Sequence, residues 1–212
     1  GLIGTFLEKY LNKANEISLL SFSENPRSKN FLKLDLTNKV KVNEYTKSCQ
    51  KFNIIIFLVG LAHKKGNKRD YEIFKNVNYN SLVNLLIGLE NNNKIPDKII
   101  FTSTISIYGE NLEKKVFTED SDKNPLSPYA KTKLEAENYL LNNYYKQAWI
   151  LRLAPVYSIK FKLNINRRIK IWEFFYKVGD GKNLLSLCNI KNIGKVVESI
   201  NNGDVPRGIY NL

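Results

Sequence analysis

The sequence predicts an α/β protein built on a doubly wound parallel sheet. Residues 53–61 (NIIIFLVGL) are nearly continuous apolar, and 98–103 (KIIFTS) form a second short run of the kind found in strands covered on both faces. Such runs alternate with stretches of helical periodicity, the order that produces parallel strands joined by right-handed helical crossovers. A length of 212 residues suits one large domain, or one domain with part of a second.

The elements follow in order. Leu2, Ile3, Phe6, Leu7, Tyr10 and Leu11 recur at helical spacing, so residues 2–13 form an amphipathic helix. Residues 17–22 are a short apolar strand. Residues 31–36 alternate and end beside Asp35. Residues 39–51 are mixed and read as helical. The strand at 53–61 comes next, then a long helix over 72–90 and the strand at 98–103. Ser127-Pro128 is a helix-start signal, with a hydroxyl at the cap and proline in the first turn. That helix runs to about residue 145, and 148–153 is the next strand. Beyond Tyr157 the regularity fades into a helix at 167–177, a strand at 184–190, a helix at 192–201 and a strand at 208–212.

Composition narrows the class. The chain is 43% hydrophobic and 25% charged, which argues against disorder, collagen and disulfide scaffolds. No run approaches the ~20 apolar residues of a membrane-spanning helix. Cys49 and Cys188 make no disulfide framework, and with His63 as the one histidine no zinc site of the common kind, and no other metal, is expected. A reducing, cytoplasmic setting is the simpler reading. The net charge of +13 is spread over many lysines. The short clusters Lys64-Lys65, Lys114-Lys115 and Arg167-Arg168 form no stripe interleaved with aromatics, so neither nucleic acid nor membrane is the expected partner. Methionine is absent and the chain opens on Gly1, so it reads as a piece of a longer protein.

Gly1 and Gly4 stand at the start of the first helix, where glycines let a pyrophosphate approach backbone N–H groups and the positive end of the helix dipole. In a doubly wound sheet the carboxyl ends of the strands line the cofactor crevice. Asp35-Leu36 and Leu58-Val59-Gly60 end two of these elements. The first strand is then missing, and a piece lacking that central strand is expected to be poorly stable and inactive alone. After the strand at 17–22 no carboxylate occurs until Glu24, and Arg27 follows. A small residue such as Ser21 with an arginine nearby would accept a 2′-phosphate, whereas an acidic residue would bind the free ribose, so the pattern tilts towards NADP while NAD stays open.

Tyr129-Ala-Lys-Thr-Lys133 is a Y-x-x-x-K. In a lysine-rich chain with 12 tyrosines a chance match is unsurprising, and Tyr71…Lys75 is a second one, read as an exposed helical pair. The surroundings separate them. Tyr129 and Lys133 share a face of the helix that Ser127-Pro128 opens, and upstream a buried strand ends in Ser103-Thr104. A free tyrosine titrates near ~10 and is a poor base at neutral pH. A nearby ammonium and a positive nicotinamide favour its phenolate. Thr104 would hold a substrate hydroxyl for proton transfer.

These residues resemble the NAD-dependent epimerase/dehydratase family of extended short-chain dehydrogenases/reductases. Gly1-Leu2-Ile3-Gly4 resembles the end of that family's glycine fingerprint, Asp35-Leu36 the adenine contact, and Leu58-Val59-Gly60-Leu61 the strand end beside the cofactor. Asn78 is similar to its helix asparagine. Thr104 is similar to its catalytic Ser/Thr, four before Tyr108, and Tyr129 and Lys133 to its catalytic pair. Arg152 to Tyr157 (RLAPVY) resembles the strand and loop beside the nicotinamide. The resemblance implies a Rossmann NAD(P)-binding domain over 1–157, with a partial substrate-binding region and returning strands over 158–212. It implies NAD or NADP as cofactor, held by the residues above together with Ser103, Pro155 and Val156. It implies a nucleotide-sugar substrate, met by Thr104, Ser106, Arg167 and Arg168. Oligomeric state stays open, a homodimer included.

The departures refine the expected activity. Where dehydratases of the family carry an Asp-Glu pair after the catalytic Ser/Thr, this chain has Ile105 and Ser106, which disfavours dehydration. The family's R-x-F-x-H-V-x-D is replaced by Leu185-Ser186-Leu187-Cys188-Asn189-Ile190-Lys191-Asn192. Its arginine is therefore absent, and Arg167 or Arg168 is either its substitute or a plain surface pair. The resulting expectation is an epimerase acting at a sugar hydroxyl, C4 foremost. The alternatives are a reductase of a keto sugar or other carbonyl, and a cofactor-binding regulatory protein without catalysis. His63 is read as exposed and Cys188 as core.

Overall fold

A computed structural model describes residues 1–11, 16–22, 31–61, 70–109, 116–177, 180 and 184–212. Helix α1 (Leu2–Leu11) begins with the Thr5 amide donating to the Gly1 carbonyl at 2.9 Å. Strands β1 (Leu19–Ser21) and β2 (Phe31–Lys33) pair in parallel, Leu19 opposite Phe31. Helix α2 (Lys39–Ser48) opens on Asn38, whose side chain accepts from the Lys41 amide at 3.1 Å. At its far end the Lys94 ammonium donates to the Thr46 and Lys47 carbonyls, a cation placed at the negative end of the helix. After β3 (Ile54–Phe57) comes the long helix expected over 72–90. It is interrupted: α3 (Tyr71–Lys75) passes through a π turn (Asn76–Asn80) into α4 (Ser81–Asn91).

Strand β4 (Lys98–Thr104) ends in a 3₁₀ turn (Ile105–Tyr108). Helix α5 (Pro128–Tyr144) starts where Ser127-Pro128 predicts, the Ser127 hydroxyl accepting from the Ala130 amide at 3.1 Å. There follow β5 (Ala148–Leu153), β6 (Val156–Tyr157), α6 (Leu163–Ile169), β7 (Lys170–Ile171), β8 (Phe174–Phe175), β9 (Cys188–Asn189), α7 (Ile190–Asn202) and β10 (Gly208–Asn211).

The main sheet has the order β10-β5-β4-β3, all parallel, with Phe57 beside Phe101 and Phe101 beside Ile150. Alternate residues of its central strands feed two cores. Ile99, Phe101 and Ile150 meet Val42, Leu82, Leu86 and Leu140 on one face. Ile100, Trp149 and Leu151 meet Leu7, Ile193, Val197 and Ile200 on the other. This is the doubly wound arrangement the alternation of elements predicts.

The sheet is split. β1 and β2 stand apart as a two-stranded sheet, and both β1 and β3 line one cavity. Ile54, Ile55 and Ile56 are therefore half-buried, not buried on both faces as their composition suggests, because among the described residues no strand pairs with this edge of the sheet.

Two later elements also differ from expectation. The helix foreseen at 167–177 ends at Ile169, and the chain turns back as a β7–β8 hairpin. Trp172 takes a left-handed φ of 57° at the turn, and the β-branched and aromatic residues around it favour extended backbone. The strand foreseen at 184–190 is confined to Cys188–Asn189, paired with β6. Leu184 is fully exposed, so the apolar run there has no sheet to join. Cys188 is buried in the core, as expected.

Candidate active site

The carboxyl ends of β1, β3, β4 and β5 open onto a single cavity of about 2200 Å³. Gly1 and Gly4, at the N-terminal end of α1, form part of its wall, and Gly4 packs against Leu58, where a Cβ would stand 3.5 Å from Cδ1. Ser21, Leu36, Leu58, Val59 and Gly60 contribute strand ends and the loops after them. Pro155 and Val156 close the side beyond β5. Asp35 is not on the wall. Its carboxylate accepts from the Thr37 amide at 2.9 Å and the Thr37 hydroxyl at 2.7 Å, an Asx-type turn that consumes the side chain locally. Arg27 and His63 lie outside the described residues.

Thr104, Tyr129 and Lys133 come together on this wall. Thr104 ends β4 and caps the 3₁₀ turn: its hydroxyl oxygen accepts from the Ser106 amide at 3.1 Å and the hydroxyl donates to Ser106 Oγ at 3.2 Å. It also hydrogen-bonds the Tyr129 phenol. Lys133, one turn along α5, is 2% exposed. Its ammonium donates to the Val59 carbonyl at 3.1 Å and the Thr102 carbonyl at 2.9 Å, and lies 4.6 Å from the centre of the Phe101 ring. The lysine thus links the ends of β3 and β4 to α5.

The electrostatics differ from expectation in one respect. Burial pulls Lys133 down to about 7, with the Glu137 charge working the other way. Burial pushes the Tyr129 phenol up to about 12, opposed by the Thr104 hydrogen bond. With the chain's own groups, desolvation dominates the phenol and Thr104, not Lys133 as the sequence predicts, is the group that opposes it.

Asn78 sits behind the wall. It is fully buried in the π turn, where its side-chain oxygen accepts from the Leu61 amide at 2.8 Å and its amide nitrogen donates to Thr132 Oγ1 at 3.0 Å. It fastens the loop after β3 to α5. Ser103 lines the cavity, and its hydroxyl donates to the Glu137 carboxylate. Ser106, Arg167 and Arg168 border the cavity; Arg168 Nη1 also donates to the Asn164 carbonyl at 2.6 Å. The second Y-x-x-x-K does not belong here. The Tyr71 phenol donates to the Glu135 carboxylate, and the Lys75 ammonium lies 5.8 Å from the Tyr71 ring, a bracket between α3 and α5.

Sequence reasoning missed a polar cluster beneath this wall. Arg152 and Glu137 are both fully buried and form a salt bridge, Nη2 to Oε2, at 2.8 Å. Two signals could have found it: an arginine inside the apolar strand 148–153, and a glutamate four residues beyond Lys133 on the same helix face.

Residues 1–199 match the NAD dependent epimerase/dehydratase family. A probable dTDP-glucose 4,6-dehydratase of Sinorhizobium fredii is 25% identical over an alignment of 159 residues that covers 66% of this chain. The chain spans 45% of the length of that relative. A UDP-N-acetylglucosamine 4-epimerase from Methanobrevibacter ruminantium superposes over the whole chain and 73% of its own, with a TM-score of 0.76 at 22% identity. A Thermus thermophilus UDP-glucose 4-epimerase in complex with NAD gives 0.77 at 21% identity, over the whole chain and 74% of its own. At these identities the two structures speak for the fold.

Proposed function

Since the chain belongs to the NAD dependent epimerase/dehydratase family, we propose that it is the cofactor-binding part of a sugar-nucleotide epimerase that oxidises and re-reduces one sugar hydroxyl, at C4. The observation that carries this reading is the grouping of Thr104, Tyr129 and Lys133 on one wall of a large cavity.

The residues present fit a nicotinamide dinucleotide. Gly1 and Gly4 leave the N-terminus of α1 open to the cavity, a setting for a pyrophosphate. Val59, Gly60 and Lys133 stand where the strand ends meet α5, on the side for the nicotinamide ribose. NAD is favoured by the complex seen in the Thermus relative. Ser21, with no carboxylate of its own, keeps NADP in play. When bound, the cofactor would supply the redox chemistry, accepting and returning a hydride. Residues 1–157 would hold it, and 158–212 would contribute the substrate side, with Arg167 and Arg168 facing a diphosphate.

Tyr129 acts as the base. Its phenolate accepts the proton of the sugar hydroxyl, and the phenol gives a proton back when the alcohol is re-formed. Thr104 donates to or accepts from that same oxygen and fixes its distance from Tyr129. Lys133 presents a positive charge that favours the phenolate once a second positive charge is bound nearby. Ser106 contributes a hydroxyl at the rim. Beside Thr104 the chain offers Ile105 and Ser106, neither able to act as a carboxylic acid or carboxylate, so loss of water is not part of the reading.

The test is the full-length protein incubated with NAD and UDP-glucose, UDP-galactose and their N-acetyl forms, products being followed by NMR. Conversion between C4 epimers is expected, with Tyr129→Phe lowering turnover by at least about 100-fold. Wild-type turnover in that variant would remove the assignment. Net consumption of reduced cofactor with a 4-keto sugar would favour a reductase instead. Cofactor binding without turnover of any sugar would favour a regulatory protein.

A further inference from the structure

We propose that the buried Glu137–Arg152 pair is a positioning device for the catalytic wall, placing a carboxylate one helical turn from Lys133 and fixing Ser103, Tyr108 and Asn211 where they line the cavity. The inference rests on the function proposed above and adds residues to it.

Glu137 lies one turn beyond Lys133 on α5, and its carboxylate is saturated. It accepts from Arg152 Nε at 3.2 Å and Nη2 at 2.8 Å, and from the Ser103 hydroxyl. Arg152 spends its remaining nitrogen on the other direction: Nη1 donates to the Tyr108 hydroxyl at 2.7 Å and to the Glu119 carbonyl at 2.8 Å. The Tyr108 phenol donates to the Asn211 side chain at 2.7 Å. The Asn211 amide donates to the Glu119 carboxylate at 2.7 Å. One guanidinium thus joins α5, β4, the 3₁₀ turn, the segment before α5 and the end of β10.

Three of the groups it reaches, Ser103, Tyr108 and Asn211, line the cavity, whereas Glu137 and Arg152 do not. The pair touches the reacting space only through other residues. Arg152 and Glu137 face one another between β5 and α5, while the Glu119 carboxylate turns to the Asn211 amide. A pair this buried is an inefficient source of stability, because apolar side chains of similar size often serve as well. What they cannot supply is a negative charge behind Lys133. Burial works against the ammonium there, and Glu137 is the group that opposes it.

The test uses the full-length protein and three variants. Glu137→Gln keeps shape and removes charge. In it the Lys133 titration midpoint, read from the ammonium ¹⁵N resonance, should fall by about one pH unit or more, and kcat should fall at least about tenfold with a smaller change in KM. Glu137→Asp keeps the charge and should keep most of the midpoint, serving in place of the glutamine variant should that one not fold. The double variant Glu137→Met/Arg152→Met should regain thermal stability without regaining kcat. An unchanged Lys133 midpoint in Glu137→Gln, or a double variant that recovers stability and kcat together, would overturn the proposal and leave the pair a packing element. A wild-type protein inactive on every sugar nucleotide would instead overturn the function proposed above, while the Lys133 midpoint would still decide whether Glu137 holds that charge.

Discussion

Lys133 lies against Gly60 so closely that a Cβ on residue 60 would stand 3.3 Å from both its Cε and its Nζ, and 3.6 Å from Asn78 Oδ1. Glycine at the end of β3 is what lets the ammonium reach the Val59 carbonyl. Gly60→Ala therefore presses on Lys133, with Asn78 left at ordinary contact distance. The expected cost is about 1 to 3 kcal/mol of stability, as for other overpacked sites, with weakened NAD binding. Denaturant unfolding and a cofactor titration read the two effects separately; wild-type values in both would show that the contact has room to relax.

The buried ammonium makes stability depend on pH in a defined direction. Lys133 titrates at about 7 in the folded protein against an ordinary value of 10.5. Between these values the unfolded chain binds the extra proton, so this residue's contribution rises as pH rises through that window, and is lost as pH falls through about 7. Lys133→Met removes the term. Urea unfolding at several pH values should show wild type gaining on the methionine variant from neutral pH upward. A constant difference would mean that Lys133 keeps its ordinary protonation.

Tyr129 gives a spectroscopic counterpart. Burial holds its phenol at about 12, so the protein alone should show no phenolate absorbance from this residue at pH 9, judged by difference from Tyr129→Phe. Adding NAD, which brings a positive ring, should lower the midpoint. An ionised Tyr129 at neutral pH before any addition would contradict the dominance of burial.

Asn78 makes a prediction about the scaffold that does not depend on catalysis. Asn78→Ala leaves the Leu61 amide without its acceptor and Thr132 without a donor. Unfolding experiments should register a loss of about 2 kcal/mol, the penalty for a buried polar group left unpaired. A neutral result would mean that water reaches the π turn.

Much of this architecture is legible in the chain. Ser127-Pro128 announces α5 because a hydroxyl cap and a proline act within a few residues of themselves. The strand at 98–103 declares its burial by composition. Tyr129 and Lys133 share a face because they are four apart, and Thr104 is found from the end of the strand before them. The hairpin at 170–175 is misread because its apolar residues fit either period and only the turn at Trp172 decides. That Asp35 closes a local turn onto Thr37 is not visible in the alternation of 31–36, because it depends on backbone geometry two residues on.

The sequence by itself determined the alternation of strands and helices, the helix caps, and which side chains stand at strand ends, all matters settled between near neighbours in the chain. The tertiary structure alone decided the register of β1 on β2 and the order β10-β5-β4-β3 of the main sheet. It decided that the Lys133 charge is spent on Val59 and Thr102, 74 and 31 residues away, and that Arg152 gathers Glu137, Tyr108 and Glu119 beneath the cavity. Strand pairing and the desolvation of a charge depend on groups that meet only after the chain has closed on itself, and no local pattern of residues encodes them.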